Sequence, residues 1–375
     1  MKKSLIALAV LAAAGAASAQ SSVTLFGIVD ATLAFGKGKG VGSSDKTQLT
    51  NSGYNSSRLG FRGTEDLGGG MSASFWLEAG VANDNGQGAP TSADNQNVGV
   101  FSSATGANAP VRSGSQGLTF NRRSTVSLAG GFGEVRLGRD YTPQFWNLTV
   151  FDPFGTNGVG TTQTLVSSLG GPTTIRASNS IGYFLPGNLG GFYGQVQYYL
   201  GENNRPNGGT AFNEDDGRGY GVRFGYAAGP INVAAATSRT EFRNAGGGLS
   251  FREDIRQSNI GGQFDFGVAK VMAHYSRDES GLREGDGYLV GGLFPLGAGE
   301  IRLAYSQYKI DVTGPDPRTR KLAVGYVHNL SKRTALYTTF ARVKNNNGAA
   351  IALNGATTAA NTSSTGFDFG IRHSF

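Results

Sequence analysis

Charged residues in this 375-residue chain are set singly into apolar runs. Arg58 and Arg62 stand in SSRLGFRG, Arg136 in GEVRLGRD, Arg223 in GYGVRFGY and Arg302 in EIRLAYSQY. Lys270 and Arg342 lie in A-K-V and A-R-V, Glu78 in L-E-A, and Asp265 and Asp368 each in F-D-F. The chemistry open to charges spaced in this way is electrostatic. A wall of fixed charge beside water and backed by a low-dielectric layer concentrates ions of the opposite sign. Other chemistries find few residues. The chain has no Cys, and its three His (His274, His328 and His373) are far apart without spaced carboxylate partners. That argues against a metal centre and against the familiar nucleophilic triads. The glycines of GKGKGVG, Gly36 to Gly42, are followed by no Ser or Thr after a Gly-Lys pair, so they read as a surface loop rather than a phosphate cradle. KNNNGAA lacks the aromatic platforms of a nucleic-acid site, and the acidic run Glu214, Asp215, Asp216 reads as a solvated loop. No catalytic residue, cofactor, metal or nucleic-acid partner is expected.

The elements that must position these charges are strands. Apolar residues recur at period two: Tyr220, Val222, Phe224 and Tyr226 oppose Arg223, and Ile301, Leu303 and Tyr305 oppose Arg302. No long segment carries the apolar spacing of a core-forming helix. Short connections rich in Gly and Asn recur at seven places, DLGGG, GGFGE, PGNLGGF, AAGP, DFGV, PLGAGE and NLSKRT. Seven hairpins with one strand before and one after predict 7 × 2 + 2 = 16 strands. The alternate connections are longer, among them 83–117, 141–174, 201–217 and 345–364. Short turns on one rim, long loops on the other and an even strand number predict an all-β, 16-stranded antiparallel transmembrane barrel. A sheet can span lipid only when closed, because open edges leave backbone groups unpaired in hydrocarbon. A soluble sandwich shares the alternation, but the 23 Phe and 14 Tyr concentrated near strand ends fit interfacial girdles better.

The first 19 residues read as a secretory signal peptide: Lys2 and Lys3, an apolar stretch from Leu5 to Ala17, and a small-residue site at Ala17-Ser18-Ala19. Their removal leaves the barrel, 20–375, with 33 − 2 = 31 basic and 26 acidic residues, about +5. With eight basic residues assigned inward (Arg58, Arg62, Arg136, Arg223, Lys270, Arg302, Arg342, Arg372) against four acids (Asp30, Glu78, Asp265, Asp368), a water-filled interior is expected to prefer anions.

The last ten residues, GFDFGIRHSF, set Phe367, Phe369, Ile371 and Phe375 on one face and Asp368, Arg372 and Ser374 on the other. This ending resembles that of the general porins of Gram-negative bacteria, in particular the proteobacterial 16-stranded group. SSVTLFGIVDA resembles the first strand of that group, SRLGFRGTEDLGGGMSASFWLE the second and third, GGFGEVRLGRDYTP the fifth, and RASNSIGYFLP the sixth. The resemblance implies an outer-membrane channel for small hydrophilic solutes and inorganic ions, assembled as a homotrimer in contact with outer-membrane lipid and lipopolysaccharide. It implies that the terminal Phe375 is read by the barrel assembly machinery, and that the third loop, about 141–174, folds inward as the constriction with Asp152 as its acid. Facing that loop it implies a pore constriction of Arg58, Arg62, Arg122, Arg136 and Arg176, with Glu78 among them. On the fourth strand the alternation puts Arg123 inward, whereas the resemblance favours Arg122; both stay open. Gly182 stands where many relatives carry a further Arg, which implies a wider or less positive opening. Small outward residues such as Ala31 and Gly370 would suit a flat subunit interface. A substrate-specific channel, an adhesin or an outer-membrane hydrolase on the same barrel is the alternative.

Overall fold

The computed structural model describes residues 22–89, 95–96, 101–102, 107–108, 117–162, 165, 169–203, 215–242, 254–281 and 283–375. The proposed signal peptide and Glu214 lie outside them. Sixteen strands form one closed antiparallel sheet. They are β1 (Ser22–Lys37), β2 (in two segments, Lys46–Asn51 and Arg58–Gly68), β3 (Met71–Ala82), β4 (Arg123–Gly130), β5 (Gly133–Tyr141), β6 (Arg176–Phe184), β7 (Phe192–Tyr199) and β8 (Gly219–Ala228). They continue with β9 (Ile231–Thr240), β10 (Ile255–Asp265), β11 (Lys270–Ser280), β12 (Arg283–Leu296), β13 (Gly299–Asp311), β14 (Arg318–Asn329), β15 (Thr334–Asn346) and β16 (Ser363–Ser374). Each pairs with its neighbours in sequence, and β16 returns to β1, with Ile28 opposite Ser374 and Lys37 opposite Thr365. The final Phe375 extends this seam, exchanging two backbone hydrogen bonds of 3.1 Å with Gly27. Closure leaves no edge whose N–H and C=O groups would face lipid unpaired.

The alternation sets the two faces as the sequence predicts. On β8 the side chain of Phe224 is 54% exposed on the outer surface while Arg223 is 7% exposed inside. On β16 Phe367, Phe369 and Ile371 are exposed and Asp368 is buried. Two assignments are corrected by register. Arg342 on β15 lies outside, because Ala341 and Val343 take the inner positions and Ala341 pairs with the inward Gly366. Gly370 lies inside, paired with Thr32 and against Tyr337, so it cannot serve an outer interface; Ala31 keeps the outward parity. In both cases the parity was misplaced by one residue, Arg342 being assigned inward and Gly370 outward, and a one-residue error reverses the face.

Strand β2 is interrupted. Residues 52–57 leave the wall, with Ser52 in the left-handed region at φ 67°, and the Asp30 carboxylate inside β1 captures them. The backbone N–H groups of Tyr54 and Asn55 donate to Asp30 Oδ2 at 2.9 and 2.7 Å. One helix, α1 (Pro143–Val150), follows β5, with Pro143 in its first turn, where a missing N–H leaves no intrahelical bond unmade.

Candidate functional site

The arginines predicted from the sequence collect on one stretch of inner wall, β2 to β6, in two tiers. The tier nearer the long loops is built around Glu78 of β3. Its Oε1 receives Arg122 Nε at 2.6 Å and Arg58 Nη1 at 3.4 Å, and its Oε2 receives the Trp76 indole N–H at 3.1 Å. The hydroxyl of Tyr141, at the end of β5, accepts hydrogen bonds from Arg122 at 3.0 Å and Arg176 at 3.1 Å. Arg176 also stacks over the Tyr141 ring, 4.5 Å from its centroid.

In the second tier Arg136 of β5 bridges Glu134 at 2.9 Å and Asp140 at 2.6 Å and covers the ring of Phe184 at 4.0 Å. Arg62 of β2 and Arg123 of β4 both cover the inward ring of Trp76, 5.0 and 4.6 Å from its centroid. Guanidinium groups sit well on aromatic faces because the ring quadrupole presents negative charge there. These side chains are held by neighbours with little rotamer freedom, so the positive charge is preorganised.

The alternatives on the fourth strand resolve in favour of both. Arg123 sits on the inward parity of β4, opposite Glu78. Arg122 precedes the strand; its N–H donates to the Glu78 carbonyl at 3.0 Å, and this turn swings its side chain onto the Glu78 carboxylate. Trp76 and Tyr141 were missed by sequence reasoning. The signal for Trp76 was available, because it shares parity with Glu78 in FWLE, two residues away.

The chain after β5 turns into the barrel. Asn147 of α1 donates to the Ala234 carbonyl at 3.1 Å and to Asn259 at 2.9 Å, on the inner faces of β9 and β10, and receives Arg223 Nε at 2.9 Å. Beyond α1 the segment follows the inner wall. Phe154 and Val159 pack with Leu289, Ala304, Ala323, Ala341, Val343 and Leu353. Lys321 of β14 donates to the Thr161 carbonyl at 2.6 Å, and the Val159 N–H donates to Asp368 of β16 at 2.8 Å. Ser56, in the interruption of β2, reaches Asn157 at 2.6 Å. At Gly261 an added Cβ would lie 2.6 Å from Phe151 Cγ, which explains the absence of a side chain there.

Asp152 does not face the arginines. Its carboxylate is buried within the loop, accepting the N–H of Phe154 at 2.8 Å, the N–H of Thr162 at 2.9 Å and the Thr161 hydroxyl at 3.2 Å. Burial raises its pKa above the usual carboxylate value, against the hydrogen bonds and the Lys321 cation that favour its ionised form. The residues expected to line a charged interior thus divide. Arg223 and Asp368 hold the loop, Lys270 and Asp265 pair at a turn at 3.4 Å, and Arg302 covers Tyr54 with its guanidinium 4.4 Å from the ring centroid.

The comparisons with known proteins agree with this architecture. A family profile described as Gram-negative porin matches residues 5–348. The chain is 40% identical over 390 aligned positions to outer membrane porin protein 32 of Delftia acidovorans, covering all of both sequences. It is 29% identical to an outer membrane porin protein of Bordetella pertussis, over 92% of this chain and 95% of that one. Among solved structures, an anion-selective porin from Comamonas acidovorans superposes with a TM-score of 0.77 at 34% identity, over 95% of this chain and all of that one. A closed 16-stranded barrel with lipid-facing apolar residues outside and a wall of charge inside, carried by this sequence, belongs to the Gram-negative porins, the diffusion channels of the outer membrane.

Proposed function

We propose that this channel passes small hydrophilic solutes and inorganic ions with a preference for anions. The carrying observation is the charge balance of the β2–β6 wall. Six guanidinium groups, Arg58, Arg62, Arg122, Arg123, Arg136 and Arg176, stand against three carboxylates, Glu78, Glu134 and Asp140, an excess of 6 − 3 = +3. Every one of the three acids is engaged by an arginine, and the loop's Asp152 is withdrawn from the wall. Excess positive charge in a narrow aqueous passage with low-dielectric walls favours chloride over potassium. The solved relative named as anion-selective, at 34% identity, supports the reading. In this reading the segment 141–174 is the constriction, and the six arginines with Glu78 are its opposite bank.

The channel assembles as a homotrimer, and Phe375 is the mark read by the barrel assembly machinery; removal of this residue is expected to lower the yield of folded barrel in the outer membrane. The ion preference is tested by the reversal potential of the purified protein in a planar bilayer across a KCl gradient. The sign expected is that of chloride permeation, weakening as salt rises and screening shortens. A potassium-selective sign refutes it.

A further inference from the structure

The interruption of β2 reaches far more of the interior than its length suggests. Both ends of segment 52–57 are tied to one residue of β1: the Ser52 N–H donates to the Asp30 carbonyl at 3.1 Å, and Ser57 Oγ accepts the Asp30 N–H at 3.0 Å. Between those ends the Asp30 carboxylate collects four donors. One oxygen accepts the N–H groups of Tyr54 and Asn55, and the other accepts the hydroxyls of Tyr337 and Thr32. Asp30 is 0% exposed, so its carboxylate touches no passing solute. A carboxylate enclosed in this way is sustained by the hydrogen bonds that replace its water.

The captured segment holds three arginines. The Ser56 carbonyl accepts Arg58 Nε at 2.9 Å, on the same guanidinium that reaches Glu78. The Tyr54 hydroxyl accepts Arg302 Nη2 at 3.1 Å, and its ring centroid lies 4.4 Å from the Arg302 guanidinium and 5.2 Å from that of Arg372. The segment also abuts the chain that follows β5. Ser56 Oγ donates to Asn157 Oδ1 at 2.6 Å. Gly158, in the left-handed region at φ 63°, lies so close that an added Cβ would overlap the Gly53 carbonyl oxygen. Gly53 is confined as well, since a Cβ there would stand 2.6 Å from the Thr32 hydroxyl and 2.7 Å from that of Tyr337. Only bare backbone at both positions permits this approach.

We propose that Asp30 is a positioning residue of the channel: it holds 52–57 off the wall, and the held segment sets the width of the passage and the directions of Arg58, Arg302 and Arg372. The inference rests on the reading of 141–174 as the constriction of an anion-preferring channel, and adds a second inward segment to it. The chemistry of the acceptor makes the idea testable. An asparagine at position 30 can accept the two N–H groups on its carbonyl oxygen and donate from its amide to the two hydroxyls. An alanine can do neither, and leaves the Tyr54 and Asn55 N–H groups without their partner.

The test compares the full wild-type chain with Asp30→Asn and Asp30→Ala in planar bilayers, folding being verified by heat-modified gel mobility. Three quantities are read: single-channel conductance, reversal potential in a KCl gradient, and the largest polyethylene glycol that enters the pore. The sign of the wild-type potential tests the anion preference itself, whereas differences among the variants test this inference, so the two can fail separately. Asp30→Asn is expected to keep the wild-type conductance and size limit, with a potential at least as far toward chloride. Asp30→Ala is expected to conduct more, admit a larger polymer and lose part of the chloride preference, because the segment and its arginines come free. Equal potentials in the two variants would reduce Asp30 to one charge of the wall and overturn the proposal. Wild-type conductance and size limit in Asp30→Ala would overturn it too. Should Asp30→Ala fail to fold, Tyr54→Leu decides, since it keeps the backbone bonds of the segment but frees Arg302 and Arg372. A potential shifted toward zero then supports the proposal, and an unmoved one overturns it.

Discussion

Two halves of the inner wall obey the same alternation and end in different environments. From β2 to β6 the inward positions hold arginines that lean on one another through Glu78, Asp140, Trp76 and Tyr141, and Arg62 remains exposed to the lumen. From β9 to β15 many of the inward positions are Ala or Gly, among them Ala234, Gly261, Ala304, Ala323, Gly325 and Ala341, and the segment after β5 lies upon them. Where the wall is small-sided the loop can dock and exclude water; where it is lined with guanidinium groups, desolvating them would be too unfavourable and the passage stays open. Strand parity chooses inside from outside. Docking of one loop chooses, among the inside residues, which meet water and which meet protein.

The sharpest way to break this contrast is to undock the loop. Lys321 is enclosed among Thr161, Asp152 and Asp368, and Lys321→Met removes the cation while leaving both carboxylates buried. Breaking one partner of a buried ionic group typically costs about 3–5 kcal/mol. The expected result is a higher and noisier single-channel conductance, together with protease cleavage within 141–174 that the wild type resists. Next in size is neutralisation of the open wall. Arg62→Gln, Arg123→Gln and Arg136→Gln together remove the excess of three positive charges, and the reversal potential in a KCl gradient should move to near zero or change sign.

A smaller effect is expected from Trp76→Leu, which leaves every charge in place but removes the ring beneath two guanidinium groups. Each such contact contributes about 0.5–1 kcal/mol at a hydrated site. Urea unfolding of the barrel should shift by the sum, with a slight change in selectivity as Arg62 and Arg123 gain freedom. The smallest expected effect is none. Arg342→Gln should leave the reversal potential as in wild type, whereas Arg136→Gln should not, because the first faces outward and the second lines the passage. Equal effects from the two would sink the assignment of faces.

The barrel was largely legible in the sequence because membrane spanning imposes a strict rule. A charged side chain on the lipid face near mid-depth is disfavoured by roughly 2–4 kcal/mol, so alternation is enforced residue by residue. The seven short turns fell where Gly and Asn clusters predicted them, and the strand number followed. Reading failed where that rule relaxes. Arg342 lies near the loop rim, where an outward cation is tolerated, so its A-R-V context mimics that of an inward residue. The interruption of β2 was invisible because its cause, the capture of residues 54 and 55 by Asp30, joins positions more than twenty residues apart. Asp152 was assigned as a pore acid from its place in the loop, yet its carboxylate is satisfied by donors two to ten residues further along.

What the sequence determined by itself is periodic or local: strands from alternation, turns from glycine, closure from the need to pair every backbone group in lipid, and the identities of the basic residues that alternation can send inward. The tertiary structure alone decided how those residues are used. It brought Arg58, Arg122 and Arg176 of three different segments to one carboxylate and one phenol, enclosed Lys321 and Arg223 beneath a loop, and turned Arg342 to the outer face. The physical reason is range: a strand's faces follow from neighbours one and two residues away, whereas the partners that Arg58, Arg122, Arg223 and Lys321 meet lie 20, 44, 76 and 160 residues away along the sequence.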